Sequence, residues 1–313
     1  MSSGARSSFA ITIDVDSLRF YRMIHGLEGA LPIAEDPIYR TAMPRFFDLI
    51  SELGIRATLF LVGADAPQAP ALGPSIRATG CEVASHSFGH DYGLTTRDSA
   101  AIAADLAAAD QALAPLSDQP IAGFRAPGYN VTPALLEAVQ ARGYAYDSSL
   151  LPAPSYFLAR GAAIGLHRLR GRSSSSLVGT VRQFAGPLEP YRTTTGTPWR
   201  PDPAGGLVEI PMVCDPWLRV PLIGTALNVL PPAVFNAGLA WAERKLSCIN
   251  FEMHAIDLLD ATDHPALRDL ARFQRDLWVP AAEKLARLRA LCERLAGQRA
   301  GLCLREVAAD LRA

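Results

Sequence analysis

Short apolar runs rich in β-branched residues recur along this chain, and each ends in a cluster of polar residues. No other feature limits the possible folds so strongly. FAITIDVD (9–16) ends in two carboxylates, EVASHSFGH (82–90) in two histidines, and GFRAPGY (123–129) carries an arginine. YDSSL (146–150) and NFEMHAID (250–257) complete the series. Runs of this length and composition read as buried strands. Helical patterns fill the intervals between most of them. Strands alternating with helices, with chemistry-bearing residues at strand ends, predict an α/β barrel whose site is assembled at one mouth.

Taken in order, 9–15 is a first strand, 18–36 a mixed loop, and 39–53 a helix that Gly54 closes with a left-handed cap. Strands follow at 57–62 and 82–85, with a short helix at 75–79 between them. An alanine-rich helix spans 97–113, and 121–124 is a strand delivering Arg125. Thr132 is a helix N-cap, with Pro133 at the first helical position and Gly143 at the close. LVEIP (207–211) and 249–253 are later strands, and 265–295 is one long helical pattern. The domain closes at Cys303–Leu304 and a helix-like 306–312. The whole of 1–313 reads as one domain.

Residues 152–205 interrupt the alternation. Prolines, a serine run at 173–176 and several arginines (160, 168, 170, 172, 182, 192 and 200) mark a long loop insertion. It reads either as a solvated basic loop or as a lid whose guanidinium forks meet a phosphate or diphosphate. The apolar stretch 217–241, broken by Pro221, Pro231 and Pro232, reads as core, or as a surface lying in a bilayer beside a lipid-linked substrate.

Composition excludes some classes. At 313 residues and 49% hydrophobic, the chain can bury a substantial core. A formal net charge of −1 gives no global electrostatic case for nucleic acid. The stretch before the first carboxylates has no apolar leader, and no run is long enough to span a bilayer. Five scattered cysteines form no CxxC pair. Together these features predict a reduced, cytoplasmic protein, with peripheral contact at the inner membrane face as the variant that the apolar stretch allows.

His86 and His90 stand four apart, so a curled backbone brings both imidazoles to one ion. Asp14 and Asp16 stand two apart, so on an extended strand they share one face. Two satisfied histidines, or a strand-end turn capped by Asp16, would give the same letters without chemistry.

The five clusters in this order resemble the polysaccharide deacetylases of the NodB-homology type, carbohydrate esterase family 4. The resemblance covers roughly 9–150 and 205–310. It departs from the family in the first motif, where TIDVD stands for TFDDG, a spacing found in intracellular or lipid-linked branches such as the arabinose-lipid deformylase group. The resemblance implies a distorted barrel of about seven strands. It implies a divalent ion on Asp16, His86 and His90, with zinc first and cobalt, nickel, iron or manganese also suited to those donors. Asp14 would be the general base and Arg125 the arginine paired with it. His254 would be the general acid. Asp147 would hold His254, with Asp257 and Glu252 as alternatives, and the Tyr129 backbone N–H would meet the developing oxyanion.

The implied reaction is metal-dependent hydrolysis of an N-acetyl or N-formyl group on an amino sugar. A nucleotide-linked or lipid-linked precursor, or a glycolipid, suits a cytoplasmic enzyme better than mature polymer. Hydrolysis of a non-sugar or cyclic amide is the second reading. A non-catalytic sugar or lipid binder is the third; retention of Asp14, Arg125 and His254 speaks against it.

Overall fold

The computed structural model describes residues 7–154 and 186–312. Its strands are β1 (Ser8–Val15), β2 (Ala57–Leu61), β3 (Glu82–Ser85), β4 (Gly123–Phe124), β5 (Tyr146–Asp147), β6 (Tyr191–Thr193), β7 (Leu207–Glu209), β8 (Cys248–His254) and β9 (Ala300–Gly301). They form one sheet in the order β6-β7-β5-β4-β3-β2-β1-β8, with β9 joined to β1. Pairing is parallel except between β6 and β7. The sheet curls into a distorted half-barrel of the expected α/β type. Beyond β7 the chain crosses to the far edge, where Val213 N donates to Asn250 O of β8 at 2.9 Å.

Helices cover the outside of the curl. Met43–Leu53 buries Phe46, Leu49 and Ile50 and ends at Gly54, whose φ of 64° supplies the left-handed cap. Asp98 caps Ser99–Leu113 by accepting from Ala101 N, and Thr132 caps Pro133–Ala141 by accepting from Leu135 N. These ends follow local rules and agree with the sequence. No helix among the described residues is long and apolar enough to cross a membrane. All five cysteines are buried and unpaired.

Three stretches differ from expectation. Within 18–36, Leu18–Ile24 is helical, because Asp36 at the far end of the segment accepts from Leu18 N at 2.8 Å. The pattern over 265–295 divides into Pro265–Leu270, a 3-10 turn at Arg275–Trp278 and Ala281–Ala296. Pro280 lacks the N–H needed to carry a helix through. Part of the insertion is sheet: β6 forms an antiparallel pair with β7. Gly205 lets the chain pass so close that a Cβ there would lie 2.1 Å from Thr193 O, and Arg192 is tied inward by its Nε–H to Gly205 O at 3.0 Å. Arginines 160, 168, 170, 172 and 182, on which the lid reading rests, lie outside the described residues.

β4 delivers Arg125 and is built on a close approach. A Cβ on Gly123 would lie 1.9 Å from Tyr146 Cζ of β5, and Tyr146 is fully buried. Gly123→Ala is therefore expected to destabilise the protein by about 1–3 kcal/mol, the usual cost of overpacking. The check is a lowered urea midpoint with an unchanged denaturant slope.

Candidate active site

Alternation on two neighbouring parallel strands builds the floor of the site. Thr12 and Asp14 of β1, and Asn250, Glu252 and His254 of β8, lie on the inner face, while Ile11, Ile13, Phe251 and Met253 join the main apolar core. Register sets Thr12 beside Glu252 and Asp14 beside His254. Asp16 follows one residue past the end of β1. The inside of the curl is thus polar and closed to solvent: Asp14, Glu252 and Arg125 are all 0% exposed.

Arg125 enters this interior from β4. Its NH1 donates to Asp14 Oδ1 at 2.6 Å and its NH2 to Thr12 Oγ1 at 3.0 Å. Nε donates to Ser148 O at 2.8 Å, and Ser148 Oγ accepts from NH2 at 3.0 Å. Phe60 lies under the guanidinium at 3.9 Å from its ring centroid. The guanidinium thus fixes the Asp14 carboxylate and leaves Oδ2 turned toward the histidines, 3.8 Å from His86 Nε2.

His86 follows β3 directly. Its Nδ1 lies 2.8 Å from Arg125 O, a carbonyl that can only accept, so Nδ1 carries the proton and Nε2 presents a lone pair. Burial lowers the pKa of His86, against the pull of Asp14 and Asp16, which favours this neutral form. The HSFGH segment is a loop and not a helical turn. Ser87 and His90 adopt left-handed φ values of 64° and 51°, and that reversal folds the second imidazole back beside the first. Asp105 holds the loop by accepting from Phe88 N at 2.9 Å and Gly89 N at 3.2 Å.

Asp16 Oδ1 lies 3.5 Å from His86 Nε2 and 3.2 Å from His90 Nε2. Asp16 Oδ1 and both nitrogens of His90 are buried with no hydrogen-bond partner among the described residues. Donors bound to one ion at about 2.1 Å in a tetrahedron stand roughly 3.4 Å apart. Orphaned lone pairs at that spacing fit a divalent cation, and the three residues form a possible metal-holding group. Burial works to raise the pKa of Asp16, but His90 and His86 together hold the carboxyl well below its ordinary range.

His254 stands across the opening with Nε2 3.9 Å from Asp16 Oδ2. Its Nδ1 is ion-paired with Glu252 Oε1 at 3.0 Å, and Asp257 Oδ2 accepts from its backbone N–H at 2.9 Å. Burial opposes charge on this imidazole, but Glu252, Asp14 and Asp16 outweigh it and raise its pKa well above the usual value. The cleft above these groups has a volume of about 500 Å³, with Tyr21, Tyr92, Tyr129, Thr225 and Arg275 among its walls.

Two expectations are corrected. Asp147 is not the partner of His254. It sits opposite Glu209 in the β5–β7 pairing and accepts from Ser149 Oγ at 2.7 Å, while Glu252, two residues before His254 on the same strand face, takes the supporting place. The Tyr129 backbone N–H donates to Ala126 O at 2.9 Å and is committed to its own turn, where Gly128 and Tyr129 both have positive φ; the Tyr129 ring forms part of the wall. What YDSSL supplies is its serines: Ser148 grips Arg125, and Ser149 Oγ accepts from Ala126 N at 2.8 Å. Thr12, Phe60, Asp105, Ser148 and Asn250 were missed from the sequence. The one available signal was the period-two polarity of Asn250, Glu252 and His254.

Residues 32–146 match the family model for polysaccharide deacetylase. That stretch is what the chain shares with the family; it covers less than half of its length. Among the solved structures that share this fold are two that match most of the chain. One is a candidate polysaccharide deacetylase from Mycobacterium smegmatis, 17% identical, covering all of this chain and 92% of the other at a TM-score of 0.64. The other is the PuuE allantoinase, 15% identical, covering 92% of each chain at a TM-score of 0.51. No curated protein matches the sequence.

Beneath the site, Asp147 and Glu209 face each other as a fully buried carboxyl pair. Burial, then the neighbouring Asp147 charge, raises Glu209 well above its ordinary value of 4.5. The folded state therefore keeps a proton that the unfolded chain loses, and stability falls as pH rises above 4.5 toward the folded value. Glu209→Gln is expected to remove that part of the decline. Denaturation midpoints measured across pH 5–8 in both proteins check it; parallel curves would refute it.

Proposed function

We propose that this protein is a metal-dependent deacetylase that hydrolyses the amide of an N-acetylated, or N-formylated, amino sugar presented on a small lipid-linked or nucleotide-linked carrier, as a cytoplasmic enzyme with peripheral membrane contact. One observation carries the reading. Three donors, Asp16 Oδ1 and the two histidine Nε2 atoms, converge between an arginine-bound carboxylate and a carboxylate-supported imidazole, and Asp16 Oδ1 and His90 Nε2 are buried with no hydrogen-bond partner among the described residues. Asp16, His86 and His90 would hold the divalent ion, zinc in the first instance. When bound, such an ion polarises a carbonyl oxygen and acidifies water.

The remaining work falls to the chain. Asp14 is the general base: Arg125 occupies Oδ1, so Oδ2 is the atom that takes the proton from the attacking water. Arg125 and the Ser148 contacts keep that carboxylate in place while it gains and loses charge. His254 is the general acid, giving its Nε2 proton to the departing amine, and Glu252 holds the imidazole protonated and aimed. Tyr129 and Tyr21 flank His254 with ring centroids 6.3 and 6.2 Å away and form a wall against which a sugar face can pack. The fold is also that of an allantoinase, so a cyclic amide is the competing substrate class.

Asp14→Asn should abolish amine release from N-acetylated amino sugars while the purified protein keeps its metal. His86→Ala and His90→Ala should lose both, as read by elemental analysis; full metal in His86→Ala would overturn the ligand assignment. Glu252→Gln should lower kcat roughly 10- to 100-fold, the usual scale for an imidazole's orienting partner. KM and metal content should stay near those of the parent, and a loss confined to KM would assign Glu252 to substrate binding.

A further inference from the structure

The helix Pro232–Lys245 is apolar on two faces. Phe235, Leu239 and Ala242 point into the core, while Val234, Ala237 and Trp241 lie along an outer stripe at helical spacing. Across from that stripe stand Trp217 and Leu218, 80% and 62% exposed. Between them runs a groove of about 510 Å³ floored by Leu222 and Leu230. Its single acidic residue among the described residues, Asp215, has both oxygens engaged, accepting from Trp217 N at 3.2 Å and from Leu218 N at 2.8 Å. The lining thus offers a ligand almost nothing but hydrocarbon and indole surface.

The groove adjoins the catalytic cleft. The short helix Gly224–Val229 separates the two: Thr225 and Val229 line the cleft, and Leu230, the next residue, lines the groove. Asp257 ties this divider to the acid. It accepts from Thr225 Oγ1 at 3.3 Å and, through its carbonyl, from Asn228 Nδ2 at 3.0 Å, while its Oδ2 holds the His254 backbone. A Cβ on Gly224 would lie 2.2 Å from that same Oδ2, so the divider is pressed against the site.

We propose that the groove seats the hydrocarbon chain of an amphiphilic acylated amino sugar whose sugar ring occupies the His254 cleft. This rests on the deacetylase reading and names the tail its substrate carries. The continuity of groove and cleft across one turn of helix favours a chain attached to the reacting sugar over a second protein copy or a flat bilayer.

The test uses the full chain, loaded with zinc, and alkyl glycosides of N-acetylglucosamine from methyl to dodecyl, each below its micelle concentration. Tryptophan fluorescence gives Kd, and amine release gives kcat and KM. Kd should tighten by up to about fourfold per added methylene, the equivalent of ~0.8 kcal/mol, until the groove is full. KM should follow while kcat stays constant. Ala237→Phe, which fills the groove from its exposed side, and Trp217→Ala should flatten this series and leave the methyl glycoside unaffected. Equal Kd for methyl and dodecyl glycosides, or an unchanged series in Ala237→Phe, overturns the proposal. So does a dimer that Trp217→Glu splits in sedimentation, or binding confined to phosphatidylglycerol vesicles. Chain-length-dependent binding without amine release from any glycoside leaves the groove assignment standing and overturns the deacetylase reading instead.

Discussion

The ion pair between Arg125 and Asp14 is the constraint on which the rest of this structure depends. Both side chains are wholly buried inside the curl of the sheet, where an unpaired charge is intolerable. Removing either partner would leave the other uncompensated, at a cost of about 3–5 kcal/mol. The pair joins β1 to the segment after β4, and its second layer, Thr12, Ser148 and Asn250, reaches β5 and β8. Ser148 Oγ in turn donates to Ile210 O beyond β7 at 2.8 Å. One guanidinium thereby draws strands from both ends of the sheet around a common axis.

That arrangement also sets the electrostatics of the opening. Asp14, Asp16 and Glu252 bring their carboxylates into a closed space that they share with the buried guanidinium of Arg125. A neutral His86 with its lone pair turned inward leaves room for a cation, a charged His254 offsets part of the negative charge, and the proposed divalent ion would offset the rest. The left-handed residues Ser87, His90 and Tyr129 sit around the same opening. Such backbone costs of order 1–3 kcal/mol per residue and persists where surrounding contacts over-determine it. Asp105 supplies those contacts for the histidine loop, and the Ala126 carbonyl does so for Tyr129.

Much of the barrel was legible because local rules govern it. Gly54, Asp98 and Thr132 end or begin helices by their own backbone preferences, and β1, β2, β3 and β8 announce themselves by composition. What failed locally was decided at a distance. Leu18–Ile24 became a helix because Asp36 reaches back to cap it, and β6 became a strand because Gly205 opens a path beside Thr193. The assignment of Asp147 failed for the same kind of reason. Motif order placed it at the correct end of the barrel, but the β5–β7 register turned it toward Glu209, and the strand that carries His254 brought its own carboxylate.

By itself the sequence determined which reactive groups the chain places at its strand ends. Five polar clusters at strand ends, with imidazoles four apart and carboxylates two apart, name the donors, because residue type and local spacing fix what a strand end can present. Only the tertiary structure decided the long-range pairings: Arg125 with Asp14 and Thr12, and Asn250 with Ser148. Those depend on which side chains the curl brings within about 3 Å across gaps of a hundred residues or more, and neither charge nor hydrogen-bond geometry can be read until the chain has closed on itself.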